Sequence, residues 1–348
     1  MGAAVADIVR RQVEAGLDIV DDGEIGKPGF IAYLYNRVSG IEARVVPADR
    51  PDLPPGFDRE AHAGTELLFT DYWLGDPESG EGTAWVCTGP VKYNASALER
   101  DIANLRGALT GLDIVDAFIP AVAPGSIYWM RNEYYATEEE FLFAIADALH
   151  EEYKRIVDAG FLLSIDDPVL WHKRPTMRIQ GHSADDYRAW AELRVEALNY
   201  ALNGIAEDRV RYHVCSGSGP TPHTQDANLR EIIDLVLKVN ARVYLMEQAD
   251  ARHEHEWRIW EDVELPDDKI VAPGVVTHQT MMVEHPELVA QRITRLAKVV
   301  GRERVMASTD CGFAQEATTR RVPLWTQWAK LEALAEGARL ASRELWRG

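Results

Sequence analysis

Three cysteines in 348 residues, Cys87, Cys215 and Cys311, are too few and too scattered for a disulfide framework. They read as free thiols in a reducing, cytoplasmic setting. No apolar run approaches the length of a bilayer span, and the opening Met1-Gly2-Ala3-Ala4-Val5-Ala6-Asp7 carries none of the regions of a signal peptide. Positive charge is scarce as well. With 37 Lys and Arg against 56 Asp and Glu, the formal charge is −19, which argues against nucleic acid or an anionic membrane as partner. There is no G-x-G-x-x-G fingerprint to support a nicotinamide or adenosyl cofactor, and no internal repeat or low-complexity tract.

Apolar sequence, by contrast, is organised. From about residue 94 onward, short β-branched runs alternate with long amphipathic stretches. The runs Ile114–Val122, Phe161–Asp166, Val210–Cys215, Arg242–Glu247, Ile270–Val275 and Val305–Asp310 are nearly all apolar, as parallel strands buried on both faces must be. Leu17–Asp21 reads as an earlier strand, preceded by a helix over Val5–Ala15 that stops at Gly16. The clearest helix spans Glu138–Asp158, with a capping box at Thr137 and Glu140 and apolar positions Leu142, Ile145, Leu149 and Ile156 on one face.

Such alternation predicts βα units, in a doubly wound sheet or a (β/α)8 TIM barrel. Seven strands are visible where a closed barrel has eight, and the expectation is that the first strand is missing because the chain starts late. Residues 25–93, rich in Pro and Gly, read as a long insertion after the early strand, with hairpin-like pieces near Ile41–Val46 and Trp85–Tyr93. The whole of 1–348 is then one barrel domain.

Polar residues recur at the carboxyl ends of these strands, where barrel active sites lie: Asp22-Gly23-Glu24, Pro124-Gly125, Asp166-Asp167-Pro168, His213-Val214-Cys215, Glu247, Gly274 and Asp310-Cys311-Gly312. His213 and Cys215, two apart on a strand, point to the same face. Two thiols and an imidazole suit Zn²⁺ better than a hard cation, and their wide spacing suits a catalytic ion held by a scaffold rather than a zinc finger. Cys87 reads as a small buried hydrophobe. His253-Glu254-His255-Glu256 looks like a metal cluster, but on a helix its two histidines face different sides, so a satisfied or solvated face is expected.

At these residues the chain resembles the zinc-containing catalytic barrel of cobalamin-independent methionine synthase and its single-domain relatives, including epoxyalkane:coenzyme M transferase. The matching stretches are Gly16-Leu17-Asp18 through Glu24, Pro124-Gly125-Ser126, Ile165 to Pro168, His213-Val214-Cys215, Glu247, Pro273-Gly274-Val275, Glu284-His285-Pro286 and Thr309 to Phe313. The resemblance covers essentially the whole chain. It implies zinc ligation by His213, Cys215, Glu247 and Cys311, and capture of a homocysteine amino group by Glu24 and Asp166. The family's opening strand with its Gly-Ser segment, and the duplicated N-terminal barrel of full-length methionine synthases, have no counterpart in this sequence.

The implied chemistry is alkyl transfer to a small-molecule thiol whose pKa a zinc ion lowers. A folate amine or an epoxide oxygen leaves only when protonated. His278 is the candidate acid and Asp310 the alternative. Methyl transfer from 5-methyltetrahydrofolate to homocysteine ranks first. A sulfonated thiol would call instead on cations such as Lys27, Lys92, Arg131 or Arg174, and a non-catalytic zinc-binding paralogue is the third reading.

Overall fold

The computed structural model describes residues 1–47, 81–218, 226–314 and 322–347. Among these, ten strands follow in chain order: β1 (Ile19–Asp21), β2 (Val38–Pro47), β3 (Glu81–Tyr93), β4 (Asp116–Val122), β5 (Met130–Asn132), β6 (Leu162–Asp166), β7 (Val210–Val214), β8 (Val243–Met246), β9 (Ile270–Val276) and β10 (Ser308–Thr309). Every run expected as a strand contains one. Seven of them form a curled parallel sheet in the order β1-β4-β6-β7-β8-β9-β10, an α/β architecture of the TIM-barrel type with β1 and β10 as its outer members.

Sequential order follows from the connections. Each strand is followed by helical chain that packs back on the sheet, which places the next strand beside the last in parallel. The sheet residues are buried on both faces, as in β8, where all four successive residues, Val243, Tyr244, Leu245 and Met246, are buried. β10 is shorter than its apolar run. Its register on β9 shifts between Ser308 and Thr309, and Val305 makes only an isolated bridge to Val271.

The helix Glu138–Asp158 has the expected bounds, and Leu142, Ile145, Leu149 and Ile156 are fully buried. Thr137 Oγ1 accepts from the Glu140 N–H at 3.1 Å, but the Glu140 carboxylate accepts from Ala136 N–H rather than from Thr137, so the reciprocal bond of the box sits one residue earlier. The N-terminal helix, Gly2–Glu14, starts earlier than its apolar face suggests and ends before Gly16, whose φ of +90° only glycine adopts without strain.

The segment between β1 and β4 supplies two strands of a second, three-stranded sheet, and β5, which follows β4, supplies the third. β2 and β3 pair antiparallel and β5 joins β3 in parallel, so the expected hairpin pieces belong to one longer ribbon; residues 48–80 lie outside the described residues. Arg37, at the entry to β2, is 2% exposed and bonds Glu152 at 2.9 Å and Asp101, tying the ribbon to two helices of the main layer. No helix among the described residues is long and apolar enough to cross a membrane.

Candidate metal centre

Parallel strands in one sheet end at the same rim, so residues far apart in sequence meet there. His213 lies in β7 and Cys215 just past its end, while Cys311 follows β10. One ligand atom from each lies within 4.8 Å of the others. His213 and Cys215 are buried and Cys311 is partly exposed, so the cluster has one open side.

The neighbours polarise one another. Cys215 and His213 both hold Cys311 well below the ordinary thiol range against the opposing effect of burial. The His213 imidazole is pulled down by burial, but the adjacent Cys311 sulfur outweighs this and raises it to about 9. Hydrogen bonding to Cys311, then burial, pushes Cys215 well up. Two sulfurs and one ring nitrogen are a donor set for a soft divalent ion.

Glu247, expected as the fourth donor, stands one residue beyond β8, fully buried, but its oxygens do not lie within 4.8 Å of all three of the others. Its Oε2 accepts from the Ser216 N–H at 3.0 Å and from the Ser216 hydroxyl at 2.5 Å. Its Oε1, like His213 Nε2, is buried and makes no hydrogen bond among the described residues. A buried carboxylate oxygen and a ring nitrogen beside two thiols, each wanting a partner, fit a cation.

Of the two carboxylates expected to hold a substrate ammonium, Asp166 is next to this cluster, and the charge of Glu24 acts on Asp166. Asp166 ends β6 in register with His213. Burial pushes it up to about 7, with His213 opposing, and the charges of Glu24 and Cys311 push it further. Glu24 has a φ of +51°, the left-handed region, which its turn imposes: Asp22 Oδ1 accepts the Glu24 N–H at 2.9 Å. Lys27, considered as a cation for a sulfonate, instead bonds Glu24 at 3.0 Å and Pro120 O at 2.6 Å, with its ammonium 4.4 Å from the centre of the Tyr33 ring. Arg174 is paired with Glu231, and Lys92 and Arg131 are exposed.

His278, past the end of β9, is 1% exposed, and its Nε2 lies 2.7 Å from Ser218 Oγ. Asp310 is fully buried, and its Oδ1 accepts two backbone N–H groups, from Gln248 and Ala249, each at 2.8 Å. Other strand-end residues serve the frame. Asp167 caps the helix Pro168–Ile179 and accepts from Tyr212, and Glu284 accepts from Thr277 N–H and pairs with Lys330. Ser216 and Ser218 were not singled out from sequence. The small polar run directly after Cys215 was the available signal.

His253 and His255 separate as expected: His255 is exposed, whereas His253 is buried beneath the edge of Trp171. His253 Nδ1 sits 2.9 Å from Glu256, and Nε2 3.8 Å from Asp226. Burial lowers its pKa, but these carboxylates outweigh it and raise it to about 9. A folded-state pKa raised above the unfolded 6.5 means that the stabilisation is fully present below about pH 6.5 and is lost as pH rises through about 9. The melting difference between the wild type and His253→Gln is therefore expected to be large near pH 6 and to shrink toward about pH 10. A difference independent of pH would contradict the pairing.

The fold and the rim cluster define a TIM-barrel-type α/β protein with a thiol- and imidazole-lined candidate metal site at the carboxyl ends of its strands. Residues 124–328 match the family described as cobalamin-independent synthase, catalytic domain. The chain belongs to that family. It is 27% identical to a methionine synthase of Saccharolobus solfataricus, over 99% of this chain and 85% of the relative. To a methionine synthase of Sulfolobus acidocaldarius it is 23% identical, over 98% and 82% respectively. Among solved structures, a B12-independent methionine synthase from Shewanella in complex with selenomethionine matches with a TM-score of 0.72 at 20% identity, covering 98% of this chain and 88% of that one.

Proposed function

We propose that the chain catalyses zinc-dependent transfer of a methyl group from 5-methyltetrahydrofolate to the sulfur of homocysteine, forming methionine. The observation that carries this is the convergence of His213, Cys215 and Cys311 within 4.8 Å, with Asp166 in register beside His213 and the charge of Glu24 acting on Asp166. His213, Cys215, Cys311 and the free oxygen of Glu247 would hold Zn²⁺. Bound there, the ion supplies a Lewis acid that lowers the pKa of an incoming thiol.

The chain's own residues do the rest. Asp166 and Glu24 offer negative charge to an ammonium, and an amino-acid thiol seated there would aim its sulfur at the cluster. Lys27 shares Glu24, so an arriving ammonium competes with it, and Asp166 is the stronger half of the clamp. His278, with Nε2 2.7 Å from Ser218 Oγ, would hold a proton for the departing folate amine. The partly exposed face at Cys311 leaves a way in for both small molecules.

Steady-state assays with homocysteine and with a sulfonated thiol, each offered with methyl-folate and with an epoxide, test the assignment. Methionine formation from homocysteine and methyl-folate is expected to dominate. Asp166→Asn is expected to weaken homocysteine use by about tenfold or more, through the lost charge-assisted contact. Preferred alkylation of the sulfonated thiol would overturn the substrate assignment.

A further inference from the structure

The two rim residues Glu247 and Cys311 stand on strands that do not touch. β9 lies between β8 and β10. Something other than the backbone ladder must set how far apart they sit, and the described residues show one direct link. Asp310, immediately before Cys311, reaches over β9 and accepts the N–H groups of Gln248 and Ala249, the two residues immediately after Glu247. Its own N–H is anchored on Val276 O at 3.0 Å.

The path crosses β9 at Gly274, where a Cβ would overlap the Asp310 carboxylate and backbone. Gly274 is therefore a clearance for that side chain. From the opposite side Arg292 donates to Ala249 O at 3.1 Å and to Val275 O at 2.9 Å, and is braced by Glu254 at 3.2 Å. Residues 248–249 are gripped through both their donors and an acceptor.

We propose that Asp310 is a positioning residue, working across Gly274, that sets the Glu247 carboxylate relative to the Cys311 thiolate. This rests on reading Glu247 as a ligand. The positioning role needs only an acceptor oxygen at Oδ1. An amide can supply that oxygen and a methyl group cannot.

Titration of the metal-free protein with Co²⁺ tests this, because the visible spectrum reports thiolate and carboxylate ligation independently of turnover. Asp310→Ala and Gly274→Ala are expected to weaken Co²⁺ binding by about ten- to hundredfold, as loss of a buried partner to a ligand-bearing element does. Both should keep the thiolate charge-transfer bands and take on the ligand-field spectrum of Glu247→Ala. Asp310→Asn, which keeps the acceptor, should bind within about threefold of the wild type with an unchanged spectrum. An Asn variant as weak as the Ala variant, or a Gly274→Ala variant indistinguishable from wild type, overturns the proposal. Where Asp310→Ala does not fold, Gly274→Ala and Asp310→Asn decide it. A wild-type protein that binds Co²⁺ without thiolate bands would instead sink the metal reading itself.

Discussion

Cys311→Ser is expected to lose its metal on dialysis against a chelator that leaves the wild type loaded. Structural zinc sites bind with roughly 10–16 kcal/mol spread over four donors, so one donor carries about 3 kcal/mol. At 1.4 kcal/mol per factor of ten, that is about a hundredfold in affinity. Cys215 and Cys311 are equivalent in this respect, since both sulfurs belong to the 4.8 Å group. Turnover should fall with metal content, because the thiol is then left at its ordinary pKa. Cys87 is the internal control. It is buried in the ribbon strand β3, with its sulfur 3.4 Å from Gly89 O, and takes no part in the cluster. Cys87→Ser should therefore keep its zinc. A Cys311→Ser protein that retained one zinc per chain and full activity would contradict the ligand assignment.

The second large effect concerns stability. Among the described residues, Arg37 is the cation that pairs with both Glu152 and Asp101, and all three side chains are at most 9% exposed. Burial would lower the guanidinium pKa, but the charge of Glu152 outweighs it. Replacing Arg37 by Met removes the cation and leaves two carboxylates in a dry setting, which costs about 3–5 kcal/mol. Urea unfolding should show a lower midpoint, with the free energy of unfolding reduced by that amount. Pairing Arg37→Met with Glu152→Gln and Asp101→Asn should recover part of the loss, since the uncompensated charges are then gone. A single variant as stable as wild type would mean that the triad is solvated in solution.

The strands were legible because burial on both faces leaves no room for polar residues between their ends. The same logic exposed His213, Cys215 and Cys311: ionisable side chains at the end of an apolar run are either costly or employed. The position of Glu247 relative to the thiols was not legible. Sequence places it at a strand end but says nothing of Ser216, whose hydroxyl and N–H turn one carboxylate oxygen away. Lys27 misled for a related reason. A lysine near the rim reads as an available cation until the structure shows Glu24 and the Pro120 carbonyl closing on it. Arg37 gave no signal at all, since its partner Glu152 is 115 positions away and sits on an otherwise ordinary amphipathic helix. Asp310 was noticed for its acidity, yet its geometric role depends on the emptiness of Gly274, a property of the neighbouring strand.

Because β7 and β10 supply the donors from well-separated stretches of the sequence, with β10 the last strand of the sheet, the order of synthesis matters. A nascent chain that has emerged as far as Met246 carries His213 and Cys215 but not Cys311. It holds an imidazole and one sulfur, too few to compete with cellular chelators for a soft ion. On the proposed zinc reading, tight capture would wait until the final strand has left the ribosome and docked, so acquisition of the metal would mark the completion of this fold rather than its nucleation.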